Sequence, residues 1–130
     1  MTPGECAVAA ARGAVGARFR LHGRDPAFGL DCVGLAALAA RAAGVSTVIP
    51  ADYAIRSGDP SAAIDATGLA RTSAPMDGDL LLFAAGPAQF HLAVRVPGGV
   101  VHADAMLRRV VERPGVPPWP LVAAWRLTGD

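Results

Sequence analysis

The hydrophobic pattern of this chain changes near Asp79, and that change limits the available folds more than any other feature. Apolar residues recur with helical spacing before it, and short β-rich segments separated by Pro or Gly follow it. We predict helices over residues 5–15, 31–43 and 61–69, a loop over residues 17–30, and strands over residues 80–83, 90–96, 99–103, 108–113 and 121–127. Helices followed by antiparallel strands indicate an α+β fold with the helices on one face of the sheet.

Composition and charge exclude several classes of protein. The 130 residues are enough for one domain, which we assign to residues 1–130, and 52% hydrophobic content excludes a disordered chain. The net charge is +1 and the arginines are scattered along the sequence, so we expect no nucleic-acid partner. No apolar run is long enough to span a bilayer, and residues 1–12 lack the features of a secretion signal. We therefore expect synthesis in the cytoplasm and no membrane partner.

Cys32 stands where the second predicted helix begins, directly after Asp31, a residue suited to the N-cap. Free backbone N–H groups and the positive end of the helix dipole stabilise a thiolate at such a position. The sequence therefore predicts a lowered pKa for Cys32 and a nucleophilic role. The alternative is a buried cysteine that acts as a small apolar residue. Cys6, in the first predicted helix, matches no motif, and we assign it a structural role.

Two histidines lie near the open end of a predicted β-hairpin. His91 begins one strand and His102 ends the next, and Pro97, Gly98 and Gly99 between them are typical of a tight turn. A hairpin would bring the two imidazoles side by side, so that one accepts the thiol proton and the other orients it. Alternatively, each is an ordinary exposed or hydrogen-bonded histidine.

Three segments together resemble the NlpC family of cell-wall peptidases. They are Phe19–Pro26, Gly29–Leu35 with its Asp-Cys-Val-Gly-Leu core, and Gly78–Phe83, which is similar to the strand before the family's histidine. The resemblance spans nearly the whole chain and is greatest for the branch found in phage tails and gene-transfer-agent particles. His91 and His102 fall where the family's second and third catalytic residues are expected.

This resemblance implies a papain-like fold, with N-terminal helices packed on a five- to six-stranded antiparallel sheet. It also implies hydrolysis of an amide bond in the peptidoglycan stem peptide, often next to γ-D-glutamate, without a metal or cofactor. Cys32 would attack the carbonyl, His91 would transfer the proton and His102 would orient His91. The implied partners are the stem peptide as substrate and the assembly proteins of a phage-like tail, and the implied location is a phage-like particle.

The chain departs from the family pattern at three positions. Phe19 stands where many members have a tyrosine whose hydroxyl serves the active site, Val33 where many have serine, and Phe90 where many have a small residue. These changes predict a drier and narrower pocket. Two alternatives to the peptidase stay open: a catalytically silent tail-tip or hub protein with the same fold, and a related enzyme that performs another acyl transfer.

Overall fold

A computed structural model describes residues 1–46, 59–87 and 89–128. Three helices are described: α1 (Pro3–Gly13), α2 (Cys32–Ala42) and α3 (Ser61–Ala66). The strands are β1 (Arg24–Asp25), β2 (Gly29–Leu30), β3 (Ala70–Arg71), β4 (Leu80–Gly86), β5 (Gln89–Val96), β6 (Gly99–Asp104), β7 (Arg109–Pro114) and β8 (Leu121–Arg126). The α+β prediction is confirmed.

The main sheet has six strands in the order β3-β8-β4-β5-β6-β7, and every neighbouring pair is antiparallel. The predicted turn between β5 and β6 is confirmed, since Val96 pairs with Gly99 and Gly98 has a φ of 82°. Positive φ carries no steric cost for glycine, which lets the chain reverse within two residues.

Three short strands were not predicted from the sequence. Residues 17–30, predicted as a loop, contain the small β1–β2 hairpin, and β3 pairs with β8 at the sheet edge. Each of the three strands has only two residues, too few to show an alternation of apolar and polar side chains. Residues 47–58, for which the sequence predicts no single regular element, lie outside the described residues.

The helix boundaries follow local chemistry. α1 begins earlier than predicted because Thr2 and Glu5 form a capping box, with each side chain accepting the other residue's backbone N–H. α2 begins after Asp31, as predicted, and the Asp31 side chain accepts the backbone N–H of Gly34. The observed α3 is shorter than predicted, since Thr67 is its C-cap.

The sheet has an apolar cluster on each face. On the inner face α1 and α2 pack against β5, and the buried side chains include Leu35, Leu92, Val94 and Trp125. On the outer face a smaller cluster joins Leu81, Phe83, Ala93, Val100 and Ala124, with Trp119 packed against it. No helix among residues 1–46, 59–87 and 89–128 is long and apolar enough to cross a membrane.

Candidate active site

Cys32 is the first residue of α2, and its sulfur lies against β5. The backbone N–H of Leu92, the residue after His91, lies near enough to this sulfur to lower the pKa of the thiol, as do the N–H groups of Val33 and of Cys32 itself. α2 therefore presents its N-terminus to the strand that carries His91. The predicted position of Cys32 at a helix start on an antiparallel sheet is confirmed.

The carboxylate of Asp31 connects the start of α2 to the preceding loop. One oxygen accepts hydrogen bonds from Gly34 N–H and the Arg24 guanidinium, both at 2.8 Å, and the other accepts His22 N–H at 2.7 Å. Asp31 is only 4% exposed, so these three contacts compensate the loss of water around its charge. The Asp-Cys pair thus holds both the loop and the helix terminus at the sulfur.

Gly34 is required by a close backbone contact. A Cβ at this position would lie 2.0 Å from the carbonyl oxygen of Gly23, a distance at which two atoms overlap. Gly23 is equally confined, since its own Cβ would lie 2.2 Å from the Gly29 carbonyl oxygen. The glycine two residues after Cys32 therefore lets the loop pack directly on the first turn of α2.

The two histidines lie where β5 and β6 separate. The strands pair over residues 94–96 and 99–101, and the ladder ends before it reaches either histidine. Leu92 and Val94 point to the inner face, so His91 and Ala93 point to the outer face. The thiol belongs to α2 on the inner face, and the backbone N–H of Leu92, the residue after His91, lies near its sulfur.

His91 and His102 form a direct hydrogen bond. His91 Nε2 lies 2.8 Å from His102 Nδ1, and the ring planes are nearly perpendicular at 88°. This confirms that the hairpin places the two rings side by side. The contact occupies Nε2 of His91 and leaves its Nδ1 for another partner. For Nδ1 to accept a proton, Nε2 must carry the hydrogen and donate it to His102 Nδ1.

Burial sets the protonation of both histidines. Loss of water and the nearby His102 lower the pKa of His91 to about 4, against a smaller opposing effect of Asp104. Burial also lowers the pKa of His102, which is 3% exposed. At neutral pH both rings are therefore neutral, and His91 is in the state that can accept a proton.

The predicted lowering of the Cys32 pKa is wrong. Burial raises the pKa of this thiol above its ordinary value, and the charge of Asp31 adds to the effect. The backbone N–H groups of Leu92, Val33 and Cys32 lower the pKa of the thiol, but their effect is smaller than the combined effect of burial and Asp31. The sequence shows the favourable helix terminus but not the apolar packing around the sulfur, and removal of water is the larger effect here.

Trp119 completes the site and was missed in the sequence. Its ring makes edge-on contacts with His91 at 5.5 Å and His102 at 5.7 Å between centroids, and it packs on Phe83 at 5.9 Å. The Arg113 guanidinium lies over the same ring at 5.8 Å. Trp119 thereby excludes water from the imidazole pair. The only sequence signal was a tryptophan in a proline-rich stretch, and nothing in that stretch shows which strands it covers.

The three residues that depart from the family pattern have different surroundings. Phe19 is half-buried against the inner core, to which Cys32 and Phe90 are also adjacent. Val33 is 2% exposed. This confirms that apolar side chains surround the thiol. Among the described residues, no group of three or more His, Cys, Asp or Glu side chains is arranged to hold a metal ion.

Comparison with solved structures identifies the fold. NlpC2 from Trichomonas vaginalis superposes with a TM-score of 0.76 at 18% identity, over 99% of this chain and 48% of that one. NlpC1 from the same organism gives 0.71 at 19% identity, over 97% and 44%. The chain thus spans about half the length of these two proteins.

A comparison at matching domain size gives the same result. The NlpC/p60 domain of the peptidoglycan hydrolase SagA superposes with a TM-score of 0.62 at 23% identity, over 85% of this chain and 88% of that domain. No family model and no curated protein sequence matches the chain. At these identities the likeness establishes the fold, and this protein has the α+β fold of NlpC/p60 domains.

Proposed function

We propose that the protein is a cysteine peptidase that hydrolyses amide bonds in peptidoglycan stem peptides. The observation that carries this proposal is the hydrogen-bonded His91–His102 pair, in which His91 belongs to β5, the strand against which the Cys32 sulfur lies. The substrate class is supported by the fold, which this chain shares with a domain described as part of a peptidoglycan hydrolase. Nucleophile, base and orienting group would then be Cys32, His91 and His102.

The chemistry follows from the neutral ground state. Nδ1 of His91 accepts the Cys32 proton as the sulfur attacks the amide carbonyl, and the resulting imidazolium keeps its Nε2–H on His102. Backbone N–H groups at the start of α2 help to stabilise the oxyanion. His91 then gives the proton to the leaving amine, and water hydrolyses the thioester with His91 again as base. Because burial raises the pKa of the thiol and lowers that of His91, proton transfer occurs with substrate bound rather than in the free enzyme.

Substitutions of Cys32 and His102 test this proposal. Cys32→Ala should abolish release of stem-peptide fragments from purified peptidoglycan, measured by mass spectrometry, because no neighbouring group replaces the sulfur. His102→Ala should leave a weaker activity, reduced by about 10²- to 10⁴-fold, since His102 only orients His91. His22→Asn is the matched control, because His22 is exposed and lies outside the pair. Cleavage by Cys32→Ala at the parent rate would disprove the assigned site.

A catalytically silent protein is the second candidate. The observation that favours it is the raised pKa of Cys32, since a buried neutral thiol also serves as a small apolar residue. The two candidates differ in one result. A silent protein would release no fragments from any peptidoglycan type between mildly acidic and alkaline pH.

Assembly into a phage-like tail is the setting that we propose for this activity. Its support is the sequence resemblance of residues 19–26 and 29–35 to the branch found in tails and gene-transfer-agent particles. Such a particle would deliver a peptidase to the cell wall. Immunodetection of the protein in purified particles tests this setting, and its absence from them would contradict it.

A further inference from the structure

Four arginines that are scattered in the sequence line one cleft in the structure. Arg18 and Arg20 come from the segment before β1, and Arg108 and Arg109 come from the turn between β6 and β7 and the start of β7. All four are exposed, and the cleft has a volume of about 970 Å³. A third of the twelve basic residues of the chain therefore lines a single concave surface.

The charge of this cleft is not neutralised by the described part of the chain. Five arginines elsewhere pair with carboxylates: Arg12, Arg24, Arg71, Arg95 and Arg126. In contrast, no described carboxylate forms an ion pair with any cleft arginine. Asp25 and Asp104, on segments next to the cleft, direct their side chains to backbone N–H groups instead.

The arrangement carries a cost in stability. Arg18 and Arg109 are direct partners in an antiparallel bridge, and like charges directly opposite each other destabilise a sheet. Arg108 has a φ of 61°, a left-handed conformation that Gly or Asn adopts more easily. An anion bound among the four guanidiniums would offset the repulsion.

The cleft adjoins the candidate active site along the chain. Pro26, Ala27 and Phe28 form part of its wall, and Cys32 follows Phe28 by four residues. Ala105 forms another part and follows His102 by three residues. Phe19, between two of the arginines, packs against the same core as Cys32. The β1–β2 hairpin that carries residues 26–28 also packs against α2, so the cleft lies beside the helix that begins at Cys32.

We propose that the arginine cleft binds the free carboxylates of the stem peptide on one side of the scissile bond. The proposal rests on the function proposed above and makes the acidic groups of the substrate a specificity determinant. The planar guanidinium fork matches a carboxylate with two parallel hydrogen bonds. The exposed ring of Phe28 and the half-buried ring of Phe19 cover the apolar part of the bound peptide.

Binding to Cys32→Ala protein tests the proposal without interference from cleavage. The two probes are a γ-D-glutamyl stem peptide with free carboxylates and the same peptide with those carboxylates amidated, titrated by calorimetry. The free form should bind at least about tenfold more tightly, the effect of one charged hydrogen bond. This preference should shrink as salt is raised to about 0.5 M. Equal affinity for the two peptides, or no binding of either, would overturn the proposal.

Arginine substitutions locate the effect. Arg18→Gln with Arg109→Gln should remove the preference for the free peptide. Arg41→Gln, which removes the same charge type from an exposed position on α2 outside the cleft, should keep it. A preference that survives in the double variant would place the carboxylate site elsewhere.

Arg108→Asn separates binding from folding. Because Asn adopts the left-handed conformation more easily, this variant should melt at a higher temperature than the parent and yet bind the free peptide more weakly. A variant that melts higher and binds as tightly as the parent would exclude Arg108 from the site. If the parent protein shows the carboxylate preference but releases no fragments from peptidoglycan, the cleft stands and the peptidase proposal fails.

Discussion

At the scale of single residues, the two groups proposed to exchange a proton are shifted in opposite directions. Burial raises the pKa of the Cys32 thiol and lowers that of the His91 imidazole to about 4. The free protein therefore holds a neutral thiol and neutral imidazoles at neutral pH. A neutral thiol reacts slowly with oxidants and alkylating reagents, because the thiolate is the nucleophilic form.

Alkylation of Cys32 by iodoacetamide should consequently depend steeply on pH. We expect slow labelling at pH 7 and a rise of about tenfold per pH unit that continues beyond pH 9, because the thiolate is the reacting form and its fraction grows with pH below the pKa. Peptide mapping with mass spectrometry measures the rate at this residue. A rate that already reaches its plateau below pH 7 would show a thiolate–imidazolium pair instead and contradict the raised pKa.

At the scale of elements, the site depends on how closely the loop before α2 approaches that helix. The Gly23 carbonyl oxygen lies so close to Gly34 that a side chain at position 34 would overlap it. The Asp31 carboxylate joins the same two segments by hydrogen bonds. The loop carries the N-cap interactions, and the helix carries Cys32. A displacement of the loop would therefore move the sulfur away from β5.

Gly34→Ala should be destabilising even though alanine favours helices. The added methyl group overlaps the Gly23 carbonyl, and overpacking of this kind costs about 1–3 kcal/mol of unfolding free energy. Gly13→Ala in α1 is the matched control, since a Cβ there has no heavy atom within 4 Å and should be neutral or stabilising by up to about 1 kcal/mol. Chemical denaturation measures both. Equal stability of the two variants would contradict the close contact.

At the scale of the whole molecule, the sheet separates two apolar layers and is open between β5 and β6. Helices α1 and α2 cover the inner face, whereas Trp119 and its neighbours cover the outer face. The imidazole pair packs against Trp119 in the outer layer, and the thiol lies on the inner side at the start of α2. The stability of the whole fold is thereby linked to the protonation of the half-buried His91 and the buried His102.

The free energy of unfolding should fall as the pH is lowered from about 6.5 to about 4. In this window the unfolded chain binds a proton at His91 that the folded protein does not, so acid favours unfolding, by up to about 3 kcal/mol for a pKa of 4 against an ordinary 6.5. The lowered pKa of His102 acts in the same direction. Thermal melts across this range should show a steeper decline for the parent than for His91→Gln. Parallel declines would contradict the buried neutral imidazole.

Much of the fold was predictable because it depends on short-range patterns in the sequence. The capped start of α2 at Asp31, the change of period near Asp79 and the Pro-Gly-Gly turn each depend on residues close together in the chain, and each is confirmed. The two-residue strands were not predictable, since their pairing partners are set by neighbouring segments rather than by their own sequence. That residues 1–130 form one domain remains a prediction.

The sequence by itself determined which chemical groups are present and that Cys32 begins a helix while His91 and His102 share a hairpin. Only the tertiary structure decided their protonation, because the pKa of each depends on the water excluded by residues distant in the chain, Trp119 among them. The same holds for the arginines. Their scatter along the sequence indicated no basic surface, and the bridge between Arg18 and Arg109 joins them across ninety residues into one cleft. Helix capping and tight turns are local, whereas desolvation and charge density depend on every segment that packs nearby.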